Sequence, residues 1–158
     1  MTQEKDQFVV EVTAKSAEPY KEAELRDEHT VYSDEPEWTA MPGDDEYPSP
    51  GDYLLLSLAA CQVSVLDQCL KKNDVETYEI NCTAEIDKWG MDSSVPEAMP
   101  ETTGLRVEHI TVDIVLETTA EYEERASRCL EVFDEGCVVG QSIGIDYQSI
   151  GELKITEF

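Results

Sequence analysis

The chain holds five cysteines, Cys61, Cys69, Cys82, Cys129 and Cys137, and two histidines, His29 and His109. A thiolate is a nucleophile, and its oxidation ladder opens on a sulfenic acid that a second thiol can close to a disulfide. No two cysteines form a CxxC pair, and so few histidines make a zinc site improbable. No GxGxxG, Walker A or GxSxG motif is present. The chemistry on offer is therefore thiol chemistry, and the question is which sulfur carries it. Cys137 follows Gly136 at the start of a new turn, where backbone N–H groups and a helix dipole favour a thiolate. Cys61 lies inside an apolar helical stretch, where free cysteine usually packs as a small hydrophobe. If it reacts, it needs a cation beside it. The four arginines are Arg26, Arg106, Arg125 and Arg128. Arg125 and Arg128 sit among glutamates on a polar helix face and are expected to pair with them. Cys69 shares a helical face with Cys61 and Val65. Cys69 and Cys82 read as core, and Cys129 reads as packing on its helix stripe.

The elements that position these residues follow from periodicity. Residues Phe8 to Lys15 alternate and predict a strand, with Tyr20 to Asp27 and Thr30 to Ser33 continuing a meander. The Pro-, Gly- and acid-rich stretch Asp34 to Pro50 predicts a loop. Ser49 as N-cap, Pro50 at the first helical position and Asp52 as capping-box acid predict a helix running to about Asn73. It is apolar nearly all round in its first half, which predicts a buried central helix. Thr77 to Asp87 predicts a strand, Trp89 to Gly104 a surface excursion, and Leu105 to Thr118 a second long strand. Ala120 to Glu135 is an amphipathic helix stopped by Gly136. A short turn from Cys137 and a final strand, Tyr147 to Phe158, close the chain. The expected class is α+β: one domain over residues 1–158, antiparallel sheet wrapped on buried helices.

Composition bounds the partners. Among 158 residues there are 36 Asp+Glu against 11 Lys+Arg, a formal net charge of -25, and 41% hydrophobic residues. The apolar fraction suffices for a core. Scarce, scattered cations argue against nucleic acid, and the same charge repels an anionic membrane surface. The longest apolar run, Tyr53 to Cys61, is short for a bilayer, and MTQEKDQF has no basic-then-apolar leader. A reducing cytoplasm is the expectation, so the cysteines are not expected to form a disulfide scaffold. Carboxylate-rich, lysine-poor composition suggests a halophile.

The string PSPGDYLLLSLAAC, with an acid nine residues before Cys61, resembles the Pro-x-Glu-x-Leu-Leu…Ala-Cys signature of the OsmC/Ohr family. Cys137-Val138-Val139-Gly140-Gln141-Ser142 is similar to its second signature, Cys-Pro-Val-Ser/x-Asn-Thr. LRDEHTVYSDEPEWTAMPGDDEYPSP resembles the family's upstream Arg…Asp-Glu-Pro stretch and the Gly-containing loop after it. Val138 and Gly140-Gln141 depart from the second signature, and Gly51 stands where the organic-hydroperoxide branch has its acid.

The resemblance implies an intertwined homodimer with active sites at the subunit interface, and a thiol peroxidase that needs no bound cofactor. Cys61 would attack the hydroperoxide and Cys137 would resolve the sulfenic acid to a disulfide, reduced by an external dithiol. The family's arginine carries over onto Arg26, with Arg106 as rival because it shares the parity of its strand's apolar face. Asp52 matches the acid that orients this arginine, and the helix cap explains Asp52 equally well. Two other readings share the pocket: a non-enzymatic small-ligand module and a cysteine redox sensor. Charge alone makes a first prediction. Self-repulsion at -25 is relieved by screening, so thermal melts should show stability rising steeply with KCl. A melting temperature flat or falling in salt overturns the halophilic reading.

Overall fold

The computed structural model describes residues 9–26, 28–37, 43–92, 94–99 and 104–158. These fall into two compact units, residues 1–53 with 95–103, and residues 54–94 with 104–158. Phe8, Asp27 and parts of the two expected loops lie outside the described residues.

The first unit is built on an antiparallel meander of β1 (Val10–Ala14), β2 (Lys21–Leu25) and β3 (His29–Ser33). Val12, Ala23 and Val31 stand opposite one another, and Val10 opposes Leu25, so one face of this small sheet is apolar. Val10 and Val12 on that face remain 57% and 64% exposed. Arg26 makes the β2–β3 turn with a positive φ of 54°, which only a small share of non-glycine residues adopt. After β3 the chain is tied by the fully buried Asp34. Its carboxylate accepts backbone N–H groups of Glu35, Asp44 and Glu46 at 2.8, 3.1 and 3.2 Å. Burial pushes that carboxyl upward, but the three donors outweigh it and hold the acid below its usual range. Tyr20, Tyr32 and Tyr47 pack in edge-on and tilted contacts with centroids 5.1–5.6 Å apart, and the Tyr53 hydroxyl donates to the Tyr32 carbonyl at 2.6 Å.

Helix α1 (Pro50–Lys72) begins with the expected capping box. Ser49 N–H and Oγ–H both donate to Asp52, at 2.7 and 2.8 Å, and Asp52 N–H returns a bond to Ser49 Oγ at 3.3 Å. The helix ends in a Schellman turn: Asp74 N–H donates to the Lys71 carbonyl and Val75 N–H to the Leu70 carbonyl. Asp74 takes the left-handed position at φ 54°, and Val75 and Leu70 are both buried behind it. Arg125 donates to the carbonyls of Asn73 and Asp74 at 3.4 and 3.1 Å, satisfying acceptors that a helix end leaves over. It thus caps α1 instead of pairing with a glutamate, whereas Arg128 does pair with Glu124 as expected.

The second unit's sheet is β4 (Tyr78–Met91), β5 (Leu105–Thr118) and β6 (Asp146–Ile155), with β5 central. Ile110, Val112, Ile114 and Leu116 alternate along β5 onto one buried face. Onto that core pack Leu58, Leu66 and Leu70 of α1, Ala126 and Cys129 of α2 (Glu123–Val132), and Phe133 and Cys137 beyond it. The polypeptide then forms a 3₁₀ turn (Phe133–Gly136) and the five-residue α3 (Val138–Ser142).

Several expectations change. β6 pairs parallel to β5, so this sheet is mixed; the helical crossover between the two strands permits what a short hairpin would not. Trp89 to Met91, expected in the surface excursion, continue β4 past a bulge near Lys88. The buried side of α1 is one stripe, Leu58, Gln62, Leu66 and Leu70, and Leu56 is 60% exposed. By length and composition α1 is also long and apolar enough to cross a membrane, which the shorter run Tyr53 to Cys61 does not suggest.

Candidate active site

Two thiols meet in the second unit. Cys61 lies three turns into α1, half-buried, and Cys137 caps the start of α3 with no exposed surface. The two thiols interact electrostatically. The sequence marked both residues, and the fold brings them together. Cys137 reaches this place through its own backbone. Its N–H donates to the Asp134 carbonyl at 3.2 Å, its carbonyl accepts from Gln141 N–H at 3.0 Å, and its Sγ accepts from Gly140 N–H at 3.2 Å.

The electrostatics of Cys137 differ from the sequence expectation. Burial pushes its thiol above the ordinary range and the contact with Cys61 adds to that, while the N–H groups of Gly140 and Val139 pull the other way and lose. α3 has five residues, too few for a dipole that would reverse the balance. Cys137 is thus held as a protonated, hydrogen-bonded thiol.

Tyr147, at the start of β6, is a member of this site that the sequence reading missed. A Cβ on Gly140 would lie 2.3 Å from its hydroxyl oxygen, so the ring occupies the space a side chain there would need. Burial first, then the charges of Cys137, Asp134 and Cys61, push its phenol upward. Nothing in an isolated tyrosine at a strand start signals such a position.

Gln62 was also missed. It has no exposed surface, its Oε1 accepts from Ser149 Oγ at 2.9 Å, and its Nε2 has no hydrogen-bond partner among the described residues. A buried polar group beside Cys61 in an apolar helix could be read from the sequence; its direction could not.

The remaining candidates fall elsewhere. Arg26 belongs to the first unit, with its N–H donating to the Val9 carbonyl and its guanidinium 4.0 Å from Glu28. Arg106 follows the parity of β5, but the buried face has ended by that point. Its side chain is 53% exposed and pairs with Asp92 at 2.6 Å. Asp52 is engaged by Ser49.

Cys69 and Cys129 are not separate packing residues: they form a disulfide between α1 and α2, with Cα atoms 5.7 Å apart. Sequence reasoning placed Cys69 in the core and Cys129 on its helix stripe and did not pair them, because a reducing compartment was expected; they are 60 residues apart. Cys82, on strand β4, is a third free thiol, pushed upward by burial and then by Asp113. Among the described residues no group of three His, Cys, Asp or Glu side chains is arranged to hold a metal ion.

A family profile described as OsmC-like protein matches residues 43–148, which contain both thiols. An OsmC-like protein of unknown function from Vibrio cholerae superposes with a TM-score of 0.64 at 13% identity, over 94% of this chain and 99% of its own. The organic hydroperoxide resistance protein OhrB of Bacillus subtilis gives 0.55 at 19%, over 94% and 98%. An organic hydroperoxide resistance protein OsmC from Legionella pneumophila, described as a predicted redox protein, gives 0.57 at 14%, over 94% and 97%. A search of curated proteins finds no match.

Gly140 yields a test of the site's construction. Gly140→Ala should displace either Tyr147 or the turn that buries Cys137. Maleimide labelling of Cys137 should then rise about tenfold or more, as for a locally opened segment. Adding Tyr147→Val should restore protection. Unchanged labelling in Gly140→Ala would mean that Tyr147 does not seat this turn.

Proposed function

Since the chain belongs to the OsmC-like protein family, we propose that it is a thiol-dependent peroxidase that reduces organic hydroperoxides through Cys61 and Cys137. The observation that carries this reading is the apposition of a half-buried and a fully buried thiol that interact electrostatically. Cys61 thiolate attacks the distal peroxide oxygen. The O–O bond breaks, the alcohol leaves after taking a proton, and Cys61 becomes a sulfenic acid. Cys137 then gives up its proton and attacks that sulfur. Water leaves and a Cys61–Cys137 disulfide remains, which an external dithiol reduces while being oxidised itself. The half-buried Leu54 and Leu55 and the exposed Leu56 of α1 supply an apolar wall suited to the organic part of the substrate. No cofactor or metal enters the scheme.

Cys61 is too far into α1 to use that helix's N-terminus, so the attacking thiolate needs a cation. Arg26 is proposed for this role, and Asp52 for holding the helix start in place through its cap. Arg26 also stands at a positive φ, so it is better replaced by Lys and Met than judged by one variant. Arg26→Lys should retain part of the rate, and Arg26→Met should slow the first step.

We infer a homodimer as the working form. Val10 and Val12 of β1 and Leu56 of α1 expose apolar surface that a second copy would cover. Light scattering in high salt should give twice the 17.7 kDa chain mass; a clean monomer overturns the dimer. A reducing, salt-rich cytoplasm is the proposed setting.

The enzyme test is turnover of cumene hydroperoxide with a dithiol. Cys61→Ser should abolish it, and Cys137→Ser should leave one oxidation event with sulfenate or sulfinate on Cys61. Resolution consumes Cys137 thiolate, and that thiol is pushed upward. Disulfide formation should therefore accelerate with rising pH, about tenfold per pH unit while the thiol remains mostly protonated. First modification on Cys82, or no Cys61–Cys137 disulfide, would reject the mechanism in favour of a ligand-binding module.

A further inference from the structure

The seam between α1 and the segment from α2 to α3 carries two cysteine pairs, not one. On α1 they are Cys61 and Cys69, and on the facing segment Cys137 and Cys129, eight residues apart on each side. Because the two segments run in opposite senses, Cys61 meets Cys137 and Cys69 meets Cys129. Between the pairs Val65 fills the space above Gly136, where a Cβ would lie 2.8 Å from Val65 Cγ1. The inner pair is a dithiol and the outer pair is a disulfide.

The outer pair is asymmetric. Cys69 is half-buried and Cys129 is 1% exposed, so Cys69 is the more accessible of the two residues to an incoming thiolate. The leaving side is provided for. Asn73 Nδ2 is anchored on the Cys69 carbonyl at 2.8 Å and lies 3.6 and 3.7 Å from the sulfurs of Cys69 and Cys129. Arg125, one helical turn before Cys129, brings its guanidinium onto the carbonyls of the same turn. A hydrogen-bond donor and a nearby cation both favour a departing thiolate.

We propose that Cys69–Cys129 is a second thiol–disulfide exchange site, opened by dithiols through attack on Cys69, whose closed form keeps Cys137 seated against Cys61. In the first step the reductant's thiolate bonds to Cys69 Sγ, the Cys69–Cys129 bond breaks, and Cys129 leaves as a thiolate and takes a proton. In the second step the reductant's other thiol closes its own disulfide and releases Cys69, which is protonated in turn. Two electrons and two protons pass from the dithiol to the protein. The link that held α1 to α2 one turn of α1 beyond Val65 is then gone, and only packing keeps the inner pair apposed.

The experiment uses the full chain and no peroxide, so it stands apart from the test of peroxidase activity. Oxidised protein is treated with the monothiol 2-mercaptoethanol, quenched with N-ethylmaleimide and mapped by mass spectrometry. The mercaptoethanol adduct should lie on Cys69 and the maleimide on Cys129, in preference to the reverse by about tenfold or more. An even or reversed distribution overturns the entry direction. Separately, dithiothreitol opens the bond, is removed without air, and the remaining thiols are labelled. Cys137 should label about tenfold faster in the opened protein than in the closed one, and slow again after reoxidation. Equal Cys137 labelling in both states, or a bond that resists millimolar dithiothreitol in the folded protein, overturns the proposal and leaves a static cross-link. Asn73→Ala should slow opening and leave Cys137 labelling in the closed state unchanged. If opening is as fast without the amide, it does not assist the leaving sulfur.

Discussion

Everything chemical in this protein depends on how closely α1 approaches the segment running from α2 into α3. That approach is set at Gly136, where Val65 occupies the volume of a missing side chain. A larger residue there would lift the 3₁₀ turn from the helix and separate the sulfurs on both sides of it. The interval of eight residues on α1 is a little over two turns, so Cys61, Val65 and Cys69 stay on one stripe. The facing segment matches that interval despite changing from α-helix to 3₁₀ and back. The change of winding turns Cys137, with its extended backbone, inward as the N-cap of the last helix.

Burying a thiol there has an electrostatic consequence. Two backbone N–H groups reach Cys137, yet desolvation and the neighbouring sulfur hold its proton on. In the proposed mechanism the asymmetry of the pair sets the order of events: the half-buried Cys61 reacts first and the buried Cys137 follows. With only 11 Lys+Arg against 36 Asp+Glu, the cation that the proposed mechanism requires is drawn from a small set. Arg125 is spent on the end of α1, Arg128 on Glu124 and Arg106 on Asp92. Arg26 is itself paired with Glu28, and its proposed role in catalysis rests on the family resemblance.

Much of this was legible in the residues themselves. Ser49, Pro50 and Asp52 announce the start of α1, and alternating Ile110, Val112, Ile114 and Leu116 announce β5, because local capping and periodicity decide those elements. Cys61 and Cys137 were legible through the motifs around them. What escaped was non-local. The parallel pairing of β6 depends on where the crossover delivers the chain. Tyr147 acquires its place only because Gly140 has no side chain. Asp34 reads as one more loop acid, and only the fold shows its carboxylate gathering three backbone donors. The Cys69–Cys129 bond was hidden by reasoning from compartment, since a reducing cytoplasm argues against disulfides in general and not against one in particular.

That bond also bears on how so acidic a chain stays folded. Charge repulsion at -25 opposes compaction in proportion to how poorly it is screened, so the stability it removes varies with salt. A cross-link acts on the other side of the equilibrium, by removing conformations from the unfolded chain. Closing a loop with a separation of 60 residues is worth about 4 kcal/mol in the chain-entropy account, and that quantity contains no charge term. The oxidised protein therefore holds a part of its stability that dilution of salt cannot take away. The same part is lost when a dithiol opens the bond, so salt and reductant act on this fold as independent variables, one through the surface carboxylates and one through the seam.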